Sequence, residues 1–336
     1  MLDARIDTPS TLDQNSIADG YYRFVGPHTW QSRIASLGSR IWAIAHPYVV
    51  IGVAVYAAEI LAQRNFVAVL AAVLLISSRQ ASLYLAGHEG VHGLLHPQLI
   101  SPPASQHASP PRRPHGFNDF LARWLCLFPL GISLSRYRMH HQLHHALLGT
   151  PGDPDQKLYA DYPRLWSRTC AFYVRQWLSG QLMLGFFRYY NELLEPQAWR
   201  SWKVGSDHWP LVGFWLVAIA TLSLCGWIDM LALYWIMPWI LGMPLHHFMG
   251  ALQHGGIHQH ANPNLRARSL DGPSWLLEFF FPLNIRFHAE HHLAPSIPYD
   301  QLPRFSRWLH QQKFQRRHQG VLASLRELHR ESRVSE

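Results

Sequence analysis

Asn284 to Pro303 reads NIRFHAEHHLAPSIPYDQLP, and its His288, His291 and His292 repeat a pattern already present at His141, His144 and His145. Both triplets are H-x-x-H-H. On a helix, residues at i, i+3 and i+4 share one face, so each triplet aims three imidazoles at one point. Upstream, HEGVH adds His88 and His92 at i and i+4. Eight histidines are too many for one ion, since about four ligands fill a zinc site. Two metal ions are the economical reading, and neutral imidazole by itself does not choose among Zn, Cu, Fe and Ni.

The composition around these clusters is that of a membrane protein. The chain of 336 residues is 48% apolar and 13% aromatic, with 14 Trp, and only 15% charged, below the usual ~25%. Mean hydropathy is nevertheless −0.07, so a large part must face water. The expectation is a short membrane stem under a polar, His-rich cap. The net charge of +8 is no sign of nucleic acid, because no Lys/Arg-rich run with interleaved aromatics occurs, and a positive cytoplasmic face accounts for it better. Cys126, Cys170 and Cys225 lack C-x-x-C spacing, which excludes a thiolate metal site and a disulfide framework.

Working outward, the apolar runs predict four transmembrane helices in two hairpins, over 41–62, 66–87, 209–227 and 228–249. Residues 1–40 show no charged-then-apolar leader pattern and read as a cytosolic lead-in. Gln63-Arg64-Asn65 makes the first turn and residues 226–229 the second. Asp119 to Ser135 is apolar but broken by Arg123 and Pro129, which reads as interfacial or re-entrant. The stretch 158–208 reads as amphipathic surface helices. Of the 29 Lys and Arg, all but Arg64 and Arg79 lie in 1–40, 97–208 and 251–336, placing both termini, the central loop and every His cluster on the cytoplasmic side. The predicted fold class is therefore all-α and integral to the membrane, a single domain whose cytosolic helical cap (97–208 and 251–336) holds a di-metal site.

A hydrolytic zinc site needs three ligands and one open position, whereas eight or nine histidines serve two irons with room for O2. Beside a membrane, the target of such chemistry is an unactivated C–H bond in a lipid chain. HEGVH, RYRMHHQLHH with its downstream DPD, and NIRFHAEHHLAPSIPYDQLP resemble the three histidine boxes of the integral-membrane fatty acid desaturase superfamily, which also holds hydroxylases and carotenoid ketolases. The resemblance covers residues 45–305. It implies four spans, a cytosolic di-iron site, O2 as co-substrate, and two electrons from an external ferredoxin- or cytochrome-type donor. Carried over by position, the ligands are His88, His92, His141, His144, His145, His288, His291 and His292. A ninth is implied near the end of the last span, where LQHGGIH offers His254 or His258; the Gln-His pair favours His254.

Desaturation of a fatty acyl chain or other membrane lipid is the leading expectation, with lipid or carotenoid hydroxylation or ketolation as the alternative. A metal-binding membrane protein or transporter without redox turnover is a reading of another class. Against it, transporters place ionisable ligands at the bilayer midplane, whereas these boxes follow the ends of spans. Glu89, Asp153, Asp155 and Glu290 are placed to orient metal-bound imidazoles, and Asn284 to reach the metals through water. His140 and His96 read as neighbours outside the ligand set. Arg304, Arg307, Lys313, Arg316 and Arg317 form a basic run suited to anionic headgroups or to an acidic electron-transfer partner.

Overall fold

The computed structural model describes residues 14–25, 30–95, 116–155, 175, 177–190, 207–257 and 260–334. Helix α1 (Gln14–Val25) precedes α2 (Trp30–Tyr56), which runs on as a π-helical turn over Ala57–Leu61. Gln63 and Arg64 then take left-handed conformations, and the Asn65 side chain accepts the Val67 N–H at 3.0 Å to cap α3 (Phe66–Val91). The chain thus reverses where the sequence predicts. Leu37–Leu61 and Phe66–Val91 are each long and apolar enough to cross a membrane. The other two expected spans are shorter apolar helices: α7 (His208–Leu224, 17 residues) and the segment Ile228–Gly242. At 1.5 Å per residue α7 extends about 26 Å.

Between these pairs lie α4 (Gly116–Phe120), a π-helical stretch over Leu121–Leu127, α5 (Leu134–Leu147) and α6 (Gln181–Tyr190). After α7, helix α8 (Ile228–Leu231), a third π-helical segment over Ala232–Ile236 and α9 (Met237–His254) follow without a break. The C-terminal cap comprises β1 (Arg268–Asp271), α10 (Ser274–Phe280), α11 (His288–Leu293), α12 (Leu302–Gln311), β2 (Arg317–Gly320) and α13 (Val321–Val334). Strands β1 and β2 pair in parallel, Arg268 opposite Arg317. The fold is mostly helical but not all-α. RSLD and RHQG are four-residue polar strands with no alternating apolar pattern, so no sequence period announces them.

The segment read as interfacial or re-entrant is mostly buried against the rest of the protein, with Phe120 and Leu125 exposed. Ala122, Cys126, Leu127 and Phe128 are fully enclosed, the first three packed in the main core with Ile76, Leu83 and Ala86 of α3 and Phe128 against Trp124 and Phe214. Arg123, which argued for an interface, pairs with buried Asp207 at 2.6 Å. The approach is close enough that only glycine fits on α3: a Cβ on Gly90 would sit 2.4 Å from Ala122 Cβ, and one on Gly87 2.3 Å from Leu127 Cδ2. Helix α3 is thereby held firmly just where it carries HEGVH.

The turns at residues 62–65 and 225–227 lie at one end of the molecule, their neighbourhoods joined by Arg64 to Asp229 at 2.9 Å and by Tyr234 to Glu59 at 2.6 Å. Ile41, Val49, Val53, Leu61, Phe66, Val67, Leu216, Val217 and Leu224 expose about 60% or more of their surface. Apolar exposure on this scale marks a surface covered by something other than water, and with the two long apolar helices it points to membrane association.

Candidate metal centre

Four helices carry the histidines: the end of α3, α5 and α11 hold the three boxes and the end of α9 holds His254, and the three box segments are each held by polar contacts of their own. Gly93 takes the left-handed conformation that ends α3. At that terminus the Val91 carbonyl accepts from Arg138 at 3.2 Å, and the Gly90 carbonyl accepts from Arg138 at 3.0 Å, from Asn118 at 2.9 Å and from the Gly93 N–H at 3.1 Å. Arg138 also grips Asp119 with both amino groups, at 2.9 and 2.6 Å, locking α5 to the end of α3. Ser133 caps α5 by accepting the Arg136 N–H. Helix α11 has six residues, too few to persist alone. It is tied down by Glu290, which accepts from Ser269, from Ser306 at 2.7 Å, from Arg316 at 2.8 Å and from His318 at 2.5 Å.

The nine predicted ligands come together in two adjoining groups. His88, His92, His141, His145 and His291 each offer a ring nitrogen within 4.8 Å of all the others, and so, as a second set, do His144, His254 and His292. His288 joins the second set, its Nε2 lying 2.7 Å from His254 Nε2 and 3.1 Å from His292 Nε2. The two groups adjoin where the His145 and His292 rings stack at 4.3 Å. His258 lies outside the described residues, whereas His254 is in the cluster.

The donor set fits metal ions. In the first group His92, His141, His145 and His291 are linked Nε2 to Nε2 at 3.0 Å in every step. A neutral imidazole has one N–H, so a chain of facing Nε2 atoms cannot all be satisfied by one another, and a cation at their focus satisfies all of them. Nine imidazoles are more than twice the four ligands that fill a tetrahedral zinc site. The residues present therefore suit two ions with many imidazole ligands better than one four-coordinate zinc.

Burial, followed by the field of the neighbouring imidazoles, holds His141, His145, His254, His291 and His292 well below the usual range. Burial with His144 nearby takes His288 to about 3, and burial with Arg138 nearby takes His92 to about 3. These rings are neutral, the state in which a lone pair is available. His144 runs the other way. Burial lowers it, but the hydrogen bond that its Nδ1–H donates to Asp153 and the charges of Asp155 and Asp153 raise it further than that.

Behind the rings, two of the expected orienting carboxylates are in place. His144 Nδ1 lies 3.0 Å from Asp153 and 3.5 Å from Asp155, and Asp153 is itself held by the N–H groups of Gly149 and Asp155. His254 Nδ1 meets the Arg266 carbonyl at 3.1 Å. Glu89 and Glu290 have other partners. Glu89 accepts the Tyr299 N–H at 3.1 Å and lies 3.9 Å from buried Arg40, tying the first box to the loop after the third. Glu290 points into the cap, where Ser269, Ser306, Arg316 and His318 meet it. Asn284 donates to the Tyr299 carbonyl at 3.2 Å. Of the basic run, Arg316 and Arg317 are consumed internally, by Glu290 and Glu327. His96 lies outside the described residues.

A group of phenols beside the site was missed in the sequence. Tyr137 sits 5.6 Å from His141 and 6.4 Å from His88, ring to ring, and stacks on Tyr84, whose hydroxyl is 2.8 Å from that of Tyr190. A signal was present: Tyr84 and Tyr137 each lie four residues before a predicted ligand, on the same helix face. Next to α6 and α7 lies an apolar cavity of about 430 Å³, lined by Pro129, Leu130, Leu211, Trp215, Trp235 and Trp239 among others. From Trp239 its wall leads through Phe186 and Tyr190 to Tyr137 in ring-to-ring steps of 5.1, 4.5 and 5.1 Å.

Comparison with known proteins follows the same lines. A dihydrorhizobitoxine desaturase of Bradyrhizobium elkanii is 24% identical to this chain over 241 residues, 68% of this chain and 64% of that protein's length. The model of the fatty acid desaturase family matches residues 64–322. Since that match takes in most of the chain and all nine clustered histidines, this protein belongs to the fatty acid desaturase family.

Proposed function

We propose that this protein is a multi-pass membrane oxidoreductase that holds two irons in its nine imidazoles and desaturates a hydrocarbon chain at the expense of O2. In the overall reaction a CH2–CH2 unit gives up two hydrogens, an external donor gives two electrons, two protons are taken up, and O2 leaves as two waters. The observation that carries the reading is the pairing of five clustered imidazoles with four more. Iron held there supplies the O2 reduction and C–H cleavage that side chains cannot perform. The protein's own part is to keep those rings neutral and aimed. Asp153 and the Arg266 carbonyl fix which nitrogen of His144 and His254 faces inward, as second-sphere partners do in metal sites generally.

The apolar cavity and its aromatic wall favour a hydrocarbon substrate taken from the bilayer. The relative's name, a desaturase, favours loss of hydrogen over insertion of oxygen. The charge distribution supports four spans with both termini and the metal site in the cytoplasm, where a ferredoxin- or cytochrome-type protein supplies the electrons. The test is mass-spectrometric lipid profiling of aerobic cells expressing the wild type or His291→Ala, with iron analysis of both purified proteins. A product two mass units lighter, about two Fe per chain and loss of both in the variant are the expected results. A gain of sixteen or fourteen mass units would reassign the reaction to hydroxylation or ketolation, and bound zinc with no lipid change would refute the oxidative reading.

A further inference from the structure

We propose that the outer face of α12 is the docking surface for an acidic, soluble one-electron carrier, and that Ser306 and Glu290 connect this face to the metal site. The inference rests on the oxidative reading above and identifies where its electrons enter. From Gln301 to Arg326 the chain has six cations and no carboxylate. Arg316 and Arg317 are paired inside the protein, while Arg304, Arg307 and Lys313 are exposed and make no ion pair among the described residues. Phe24, 54% exposed, lies 6.3 Å from the Trp308 ring and gives the patch an aromatic rim, the composition expected of a protein interface.

The same helix faces the metals from behind. Its inner side, Leu302, Phe305 and Leu309, is fully buried, and Ser306 Oγ donates to Glu290 at 2.7 Å. Glu290 is covalently next to His291 and two residues from His288, one ligand candidate from each group. A single hydrogen bond therefore separates the patch-bearing helix from both groups, and electrons cross bonded paths more readily than gaps. A bilayer is the wrong occupant for this face. Helices that lie in the interface insert an apolar side, and α12 has none left to insert, exposing only Arg304, Arg307, His310 and Gln311. The exposed apolar belt belongs instead mainly to α2, α3 and α7.

The test is anaerobic stopped-flow mixing of the full-length, iron-loaded ferric protein in nanodiscs with a reduced acidic [2Fe–2S] ferredoxin as the probe, following ferredoxin re-oxidation. The wild-type rate should fall as salt rises, and Arg304→Glu/Arg307→Glu should lower the low-salt rate about tenfold or more. Direct reduction of the ferric centre by dithionite should be the same in both. Arg304→Gln/Arg307→Gln, an intermediate case, should fall in between and covers a reversal variant that does not fold. Equal ferredoxin rates in wild type and variants, or a wild-type rate indifferent to salt, would overturn the docking surface. So would unchanged ferredoxin rates with a loss of binding to phosphatidylglycerol vesicles, which would make the face a lipid contact. A wild type that dithionite reduces but ferredoxin does not overturns docking alone. A wild type with no reducible iron overturns the oxidative reading itself.

Discussion

His144 is the candidate ligand held most elaborately from behind, by Asp153 at 3.0 Å with Asp155 at 3.5 Å. Asp153→Asn keeps the shape of that contact but removes the charge that fixes the ring. It is expected to weaken metal binding about 10–100-fold, read by competition with a chelator, with a smaller loss for Asp155→Asn at its longer distance. An unchanged affinity in Asp153→Asn would mean that the imidazole is oriented by other contacts. The choice between His254 and His258 is settled at the same scale: His254→Ala should remove metal preferentially from the His144, His288, His292 group, leaving about one Fe per chain by metal analysis. Two Fe retained would exclude His254 from the set.

At the scale of elements, the placement of the first box depends on how closely α3 approaches the segment 121–127. Gly90→Ala puts a methyl 2.4 Å from another Cβ that is fixed to its backbone, so the two elements must part. The expected cost is about 1–3 kcal/mol, seen as a lower melting temperature in detergent. Gly213→Ala, where nothing lies within 4 Å of the added carbon, is the control and should not be destabilised. A second prediction concerns the joint between β2 and α11. Burial would push the Glu290 carboxyl up, but hydrogen bonds from His318, Ser269 and Ser306 and the His318 charge hold it at about 2. Burial likewise lowers His318, yet Glu290 and Asp271 raise it above its ordinary value. The folded protein thus binds the His318 proton more tightly than the unfolded chain does. That stabilisation is complete below about pH 6.5 and is lost as pH rises through the higher folded value. His318→Gln should cost about 2 kcal/mol at acid pH and much less well above neutrality, by thermal unfolding at both. A cost that does not shrink with rising pH would argue against a charged pair.

For the whole molecule, the two turns meet at the end opposite the cap, so a multi-pass protein with a cytoplasmic site must show those turns outside. Cys225, exposed beside the second turn, should react with a membrane-impermeant maleimide on intact cells, and Cys225→Ser should abolish the labelling. Labelling only after lysis would invert the topology. The Arg64–Asp229 bridge that joins the turns is half-exposed at both partners, so Arg64→Ala should leave the melting temperature in detergent nearly unchanged. The apolar helices, not this bridge, hold the stem together.

The local pattern alone determined the ligand types and the facing of each histidine box, because helical spacing converts i, i+3 and i+4 directly into a shared face. It also marked the two turns, where Asn65 and Gly226 end apolar runs, and the two Asp residues behind His144, which follow their box by only a few residues. Only the tertiary structure decided how nine imidazoles divide into five and four, since that depends on contacts between segments up to about two hundred residues apart. It also turned Glu89 and Glu290 away from the rings, packed most of the stretch read as interfacial or re-entrant against the core, and paired two short polar strands. In each case the deciding partner, Tyr299, His318, Asp207 or the opposite strand, lies far along the chain. A sequence period records which way a side chain faces on its own helix, but not which distant residue meets it there.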